Sequence, residues 1–88
     1  MLQVKILSIL FAERYALRRL VTQAYQDLLT RHPELQIEIR EIYDPSTIGQ
    51  YARVLSLPTL VINEKVVSSG THPTREQIGS WLEKAVAP

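Results

Sequence analysis

Val4 to Leu10 is almost continuously apolar, interrupted only by Lys5 and Ser8, the pattern of a strand covered on both faces. A first strand at the centre of a mixed sheet is expected there. From Ala12 to Arg31 the apolar residues Leu17, Leu20, Val21, Ala24 and Leu28 recur at helical spacing, while Arg14, Arg18, Gln26 and Asp27 point in other directions. That spacing predicts a long amphipathic helix. His32-Pro33 should end it, because a residue before proline is pushed out of the helical region and proline has no N–H to donate. Leu35, Ile37 and Ile39 then alternate with Gln36, Glu38 and Arg40, the period-two signature of a half-exposed edge strand.

Asp44-Pro45 starts the next helix: Asp44 can cap it, Pro45 suits its first turn, and Ile48, Tyr51, Ala52 and Leu55 give it an inward face ending near Ser56. Thr59 to Asn63 and Lys65 to Ser69 are two β-rich runs meeting at Asn63-Glu64-Lys65, a spacing that favours an antiparallel hairpin. Thr74 with Gln77 three residues on forms a capping box, followed by Ile78, Trp81, Leu82 and Ala85 on one helical stripe. The predicted order is βαβαββα, an α/β fold with a four-stranded mixed sheet flanked by helices. Residues 1–88 read as a single domain without repeats or linkers.

Composition narrows the function classes. A chain of 88 residues, 45% hydrophobic and 22% charged, is too apolar for disorder and large enough for one core. Ten basic against nine acidic residues leave a formal charge of +1, so no strong field directs it to nucleic acid or an acidic membrane. The run Ile6 to Ala12 is too short for a secretory leader and lacks a small-residue cleavage site. No stretch approaches the roughly 20 apolar residues of a membrane span, so a cytoplasmic location is the default expectation. The chain contains no cysteine.

Few residues suggest chemistry. His32 and His72 lack partners at metal-ligand spacing, so no metal is expected. Ser68, Ser69 and Ser80 are not in a Gly-x-Ser-x-Gly turn, and serine catalysis is not supported. Arg14, Arg18, Arg19 and Arg31 make the long helix modestly basic, yet Glu13 and Asp27 offset them and no interleaved aromatics suggest base stacking. A solvated helix face is the simpler reading. Trp81 beside Leu82 reads as packing of the last helix.

Leu57-Pro58-Thr59-Leu60-Val61-Ile62-Asn63, in a chain with this element order, resembles the small thioredoxin-like and glutaredoxin-like domains, in which a proline opens the third strand. The resemblance spans nearly the whole chain. It implies the minimal thioredoxin fold, a cis bond before Pro58, and the backbone of Leu57 at the rim of a substrate groove. It also implies that a Cys-x-x-Cys motif would fall at Phe11-Ala12-Glu13-Arg14, with Phe11 and Arg14 standing where the two cysteines would be. Thiol–disulfide exchange needs a thiolate and a sulfur leaving group, and no register supplies either.

The groove so implied is lined by Leu10, Phe11, Arg14 and Tyr15 on one side, Leu57 and Pro58 on a second, and Gly70, Thr71 and His72 on a third. Exposed aromatic and aliphatic residues there would make a protein-binding hot spot. Leu10 and Phe11 turned inward to complete the core are the other arrangement. Glu13, or an outside anion, would meet the free N–H groups at the helix start.

Two functions follow from the resemblance. One is a redox-inactive module, not an enzyme, that binds a protein partner or a second copy through the groove and needs no cofactor. The other is a glutathione- or thiol-ligand-binding, transferase-like protein using the hydroxyl of Ser8 or Tyr15 near the end of strand one.

Overall fold

The computed structural model describes residues 1–51 and 56–86. Strand β1 (Leu2–Leu7) runs into helix α1 (Phe11–Leu28), which returns through β2 (Ile37–Ile42), a short helix α2 (Pro45–Ile48), the hairpin β3 (Thr59–Ile62) and β4 (Lys65–Ser69), and helix α3 (Arg75–Val86). Among the described residues the sheet has the order β2-β1-β3-β4. The long α1 crossover allows β1 and β2 to be parallel, whereas β3 is antiparallel to both β1 and β4.

Alternation along the strands separates two apolar layers. Leu2, Val4, Ile6, Leu60 and Ile62 face α1 and α3, where they meet Leu17, Val21, Leu28, Ile78 and Leu82. On the opposite face Leu7 and Val61 pack with Ile48 of α2, and Ile42, Tyr51, Leu57 and Val66 close around them. The β1 strand is buried on both faces at its C-terminal end. Its polar Lys5 reaches across the α2 face to the Tyr51 hydroxyl, 2.8 Å away, and to the Glu64 carboxylate.

The element boundaries differ from the sequence pattern at instructive places. The apolar run was expected to stay extended to Leu10, yet β1 ends at Leu7. Both neighbours end there too: Leu7 is opposite Ile42, the last residue of β2, and Thr59, the first of β3. With no ladder to join, the chain turns at Ser8 and begins α1 at Phe11. The helix stops at Leu28 rather than Arg31, and its last carbonyl accepts from the N–H groups of Arg31 and His32 at 3.0 and 2.8 Å. The β2 strand starts at Ile37, two residues after Leu35.

Asp44 caps α2 as its position suggests, accepting from the Thr47 N–H at 2.9 Å and the Thr47 hydroxyl at 2.8 Å. Those two bonds hold its carboxyl below the usual carboxylate range. Ala52 and Leu55, placed on the inward face of this helix by their spacing, lie outside the described residues. The hairpin turns through Asn63 and Glu64, with φ of 50° and 66°, the left-handed pair that a two-residue hairpin loop requires. Asn63 is locked to β1 by its N–H to the Gln3 carbonyl and by the Gln3 N–H to its side-chain oxygen, at 2.8 and 2.9 Å.

Candidate functional site

The site forms where β1 gives way to α1. Ser8 is fully buried. Its hydroxyl accepts the Leu10 N–H at 3.1 Å and donates to Glu13 Oε1 at 2.5 Å, which turns the chain sharply out of the sheet. Past that turn Ile9, Leu10 and Phe11 are 58%, 56% and 69% exposed, so the inward arrangement of Leu10 and Phe11 does not occur. Phe11 stacks on Tyr15 one helical turn on, with centroids 6.2 Å apart.

Arg14 holds this surface from behind. Its guanidinium donates to the Ser8 carbonyl at 3.0 Å and to Glu41 Oε1 at 3.2 Å, tying α1 to both β1 and β2. The same guanidinium lies 5.7 Å from the Phe11 ring centre and 4.7 Å from that of Tyr43, a cation between two aromatic faces. Arg18 takes the other oxygen of Glu41 at 3.1 Å. Arg14 is therefore mostly buried, and its role here is to fix two exposed rings.

Glu13 does not meet the helix N–H groups. The α1 start has Leu10 at its N-cap position with no side-chain cap, because the Glu13 carboxylate is taken by the Ser8 hydroxyl instead. The other Glu13 oxygen lies 4.0 Å from His72 Nε2, which brings the β4–α3 loop to the α1 start.

The third side is built around Pro58. The Leu57–Pro58 peptide bond is cis, and the Pro58 carbonyl accepts from Gly70 N–H at 2.9 Å. Gly70 has φ of 76°, and a Cβ there would collide with the Ser56 hydroxyl, so this crossing admits only glycine. Thr71 shares a hydrogen bond of 3.0 Å with Ser68. Leu57 was expected to be part of an exposed apolar rim; it is half-buried and packs on the Leu7, Ile48 and Val61 cluster. Pro58 is buried.

Phe11, Arg14 and Tyr15 thus form one surface with Leu10 at its N-cap, His72 approaches it through Glu13, and Gly70 and Pro58 are bonded to each other. Two further residues belong to it. Ile9, two residues before Phe11, and Tyr43, which shares the Arg14 guanidinium with it, are 58% and 62% exposed, and neither was picked out by the sequence pattern. For Tyr43 a signal existed: Ile37 and Ile39 face α1, so the same alternation carries Glu41 and Tyr43 to the α1 side. Ser8 and Tyr15, the hydroxyls considered for thiol activation, are in different states. The Ser8 hydroxyl is buried and held by Glu13, while Tyr15 is half-exposed.

Among the described residues no three His, Asp or Glu side chains are grouped to hold a metal ion, and no helix is long and apolar enough to cross a membrane. The sequence model of the thioredoxin domain matches residues 16–83, and so begins just after Phe11-Ala12-Glu13-Arg14. No curated protein matches the chain.

Proposed function

This chain belongs to the thioredoxin domain family and contains no cysteine, and from that premise we propose that it is a redox-inactive recognition module, not an enzyme, that binds a protein through the surface at the α1 start. The observation that carries the reading is a set of three exposed rings, Phe11 and Tyr43 held by Arg14 and Tyr15 stacked on Phe11. Aromatic side chains fixed before binding lose little entropy on contact and are typical anchors of protein interfaces. A solvent-exposed cluster of this kind has no role in the core, whose layers close without it.

The site chemistry supports recognition over catalysis. Ser8 donates its hydroxyl to Glu13 but is fully buried, so it offers no accessible nucleophile at the helix start, and Arg14 is engaged with Glu41 and the Ser8 carbonyl. A glutathione-binding reading retains only the Tyr15 hydroxyl as a thiol-activating group. Capture from a lysate of the source cell with the wild type and with Phe11→Asp, Tyr43→Asp tests the proposal. A partner, or a second copy of the chain, held by the wild type alone is expected. Identical capture by both forms, or none by either, overturns it. Amide shifts at Leu57 and Pro58 neighbours on adding glutathione would favour the ligand-binding reading instead.

A further inference from the structure

At the opposite end of the sheet, the start of β4 and the last turns of α3 enclose an open cleft of about 540 Å³. Ile62, Val67, Trp81 and Ala85 form its apolar lining, and Lys65 and Lys84 stand at its rim. Neither lysine has an ion-pair partner among the described residues. The nearby carboxylates are committed elsewhere: Glu64 pairs with Lys5 on the other face of the sheet, and Glu83 with Arg31 of α1 at 2.6 Å. Among the described residues the cleft therefore presents two positive charges without an ion-pair partner over an apolar floor.

The β4 strand bordering it is also an open edge. It pairs with β3 on one side and, among the described residues, with no strand on the other. A bulge opposite Leu60 and Val61 leaves Val67 without a partner on β3, and Val67 packs inward beside the core. Backbone donors and acceptors along the outer edge, next to a cleft of the volume that ordinary ligand sites occupy, suit an extended segment better than a compact one.

We propose that this edge and cleft form a second binding surface, which accepts an extended acidic peptide segment as an added strand on β4. Its apolar residues would lie against Trp81 and Val67 and its carboxylates would meet Lys65 and Lys84. Charge complementarity selects the occupant: a basic segment would face two like charges and find no carboxylate in the lining among the described residues. This surface is remote from Phe11, and the inference stands apart from the reading of that site.

Trp81 is the chain's single tryptophan, so its emission reports on the cleft without background. The test is selection of a displayed library of random twelve-residue peptides on the full chain, followed by fluorescence titration of the selected peptides. Selected sequences are expected to alternate acidic and apolar residues, to change Trp81 emission saturably, and to bind Lys65→Glu, Lys84→Glu at least about tenfold more weakly. Phe11→Asp should leave their affinity unchanged. Both lysines are exposed, so the double variant should fold, and far-UV circular dichroism checks that it does. Failure to select any peptide, selected peptides with no acidic excess, or affinities indifferent to the lysine changes would each overturn the proposal. Peptides lost on Phe11→Asp would assign the binding to the other site.

Discussion

Helices α1 and α3 lie side by side on one face of the sheet, but their N-termini are built in opposite ways. At α3, Thr74 and Gln77 form a reciprocal box: Gln77 N–H donates to the Thr74 hydroxyl at 3.1 Å and Thr74 N–H to the Gln77 side chain at 2.9 Å. At α1, Leu10 occupies the N-cap position with no side-chain bond, and Ile9, Leu10 and Phe11 project into solvent. One start obeys the local rules for stability; the other sets them aside. Departures of this kind gather at functional sites, where a residue is chosen for what it contacts outside the chain.

The largest effect separates the two helices by what their first turns bury. Ile78, in the first turn of α3, is fully buried among the main core residues, so Ile78→Ala should cost about 2–5 kcal/mol. Phe11→Ala, at the first residue of α1, removes a larger side chain and should change stability by no more than about 0.5 kcal/mol. Urea unfolding of both variants checks the contrast. A loss from Phe11→Ala close to that from Ile78→Ala would make Phe11 a core residue and end its role as an exposed anchor.

A smaller effect comes from exchanging the capping chemistry. Thr74→Ala should cost about 1 kcal/mol, since it leaves the Gln77 N–H without its partner. Leu10→Asp should do the reverse and stabilise the chain by about 0.5–1 kcal/mol, by supplying both a cap and a negative charge to a helix start that has no side-chain cap. The same change removes an apolar residue from the proposed interface. A variant that melts higher and captures less of its partner is the outcome that joins the missing cap to function.

How much of this was legible in the sequence follows the same division. The α3 start was readable because its signal is local: Thr74 and Gln77 are three residues apart and bond to each other. The start of α1 was read to within one residue, but the end of β1 before it was not, because one apolar run, Ile6 to Ala12, passes through the strand end, the turn and the first helical residues. What breaks that run is the length of the neighbouring strands, which end opposite Leu7. The resemblance on Leu57-Pro58-Thr59 and the element order gave the fold, since strand and helix periods are properties of short segments. It did not give the hold of Glu41 on Arg14 and Arg18, which depends on the register of β2 against β1, and Tyr43, which the β2 alternation does carry to the α1 side, lies just past the last strand residue. Leu57 was misread for a related reason: its packing partner Ile48 lies on α2, and nothing local to Leu57 announces that neighbour.

The smallest effect concerns how α3 is fastened to α1. Arg75, the first residue of α3, makes a two-pronged contact to Asp27 near the end of α1, at 2.7 and 2.6 Å. The Arg75 hydrogen bonds hold the Asp27 carboxyl below its usual 3.8. A carboxyl whose folded value is depressed contributes stability that is complete above the unfolded value and is lost as pH falls through the folded one. Asp27 should therefore add to an acid-side loss of stability confined to pH below about 4, a window set by the usual aspartate value. The pair is exposed, so salt at about 1 M should flatten its share. Asp44 is depressed by Thr47 in the same window, so the readout is the difference between wild type and Asp27→Asn in thermal midpoint between pH 5 and 2. That difference should shrink as the pH falls and vanish once the carboxyl is protonated. The Thr74–Gln77 box carries no charge, so the cost of Thr74→Ala should hold constant across the same range, and a pH-dependent cost there would show that the box and the ion pair act as one unit.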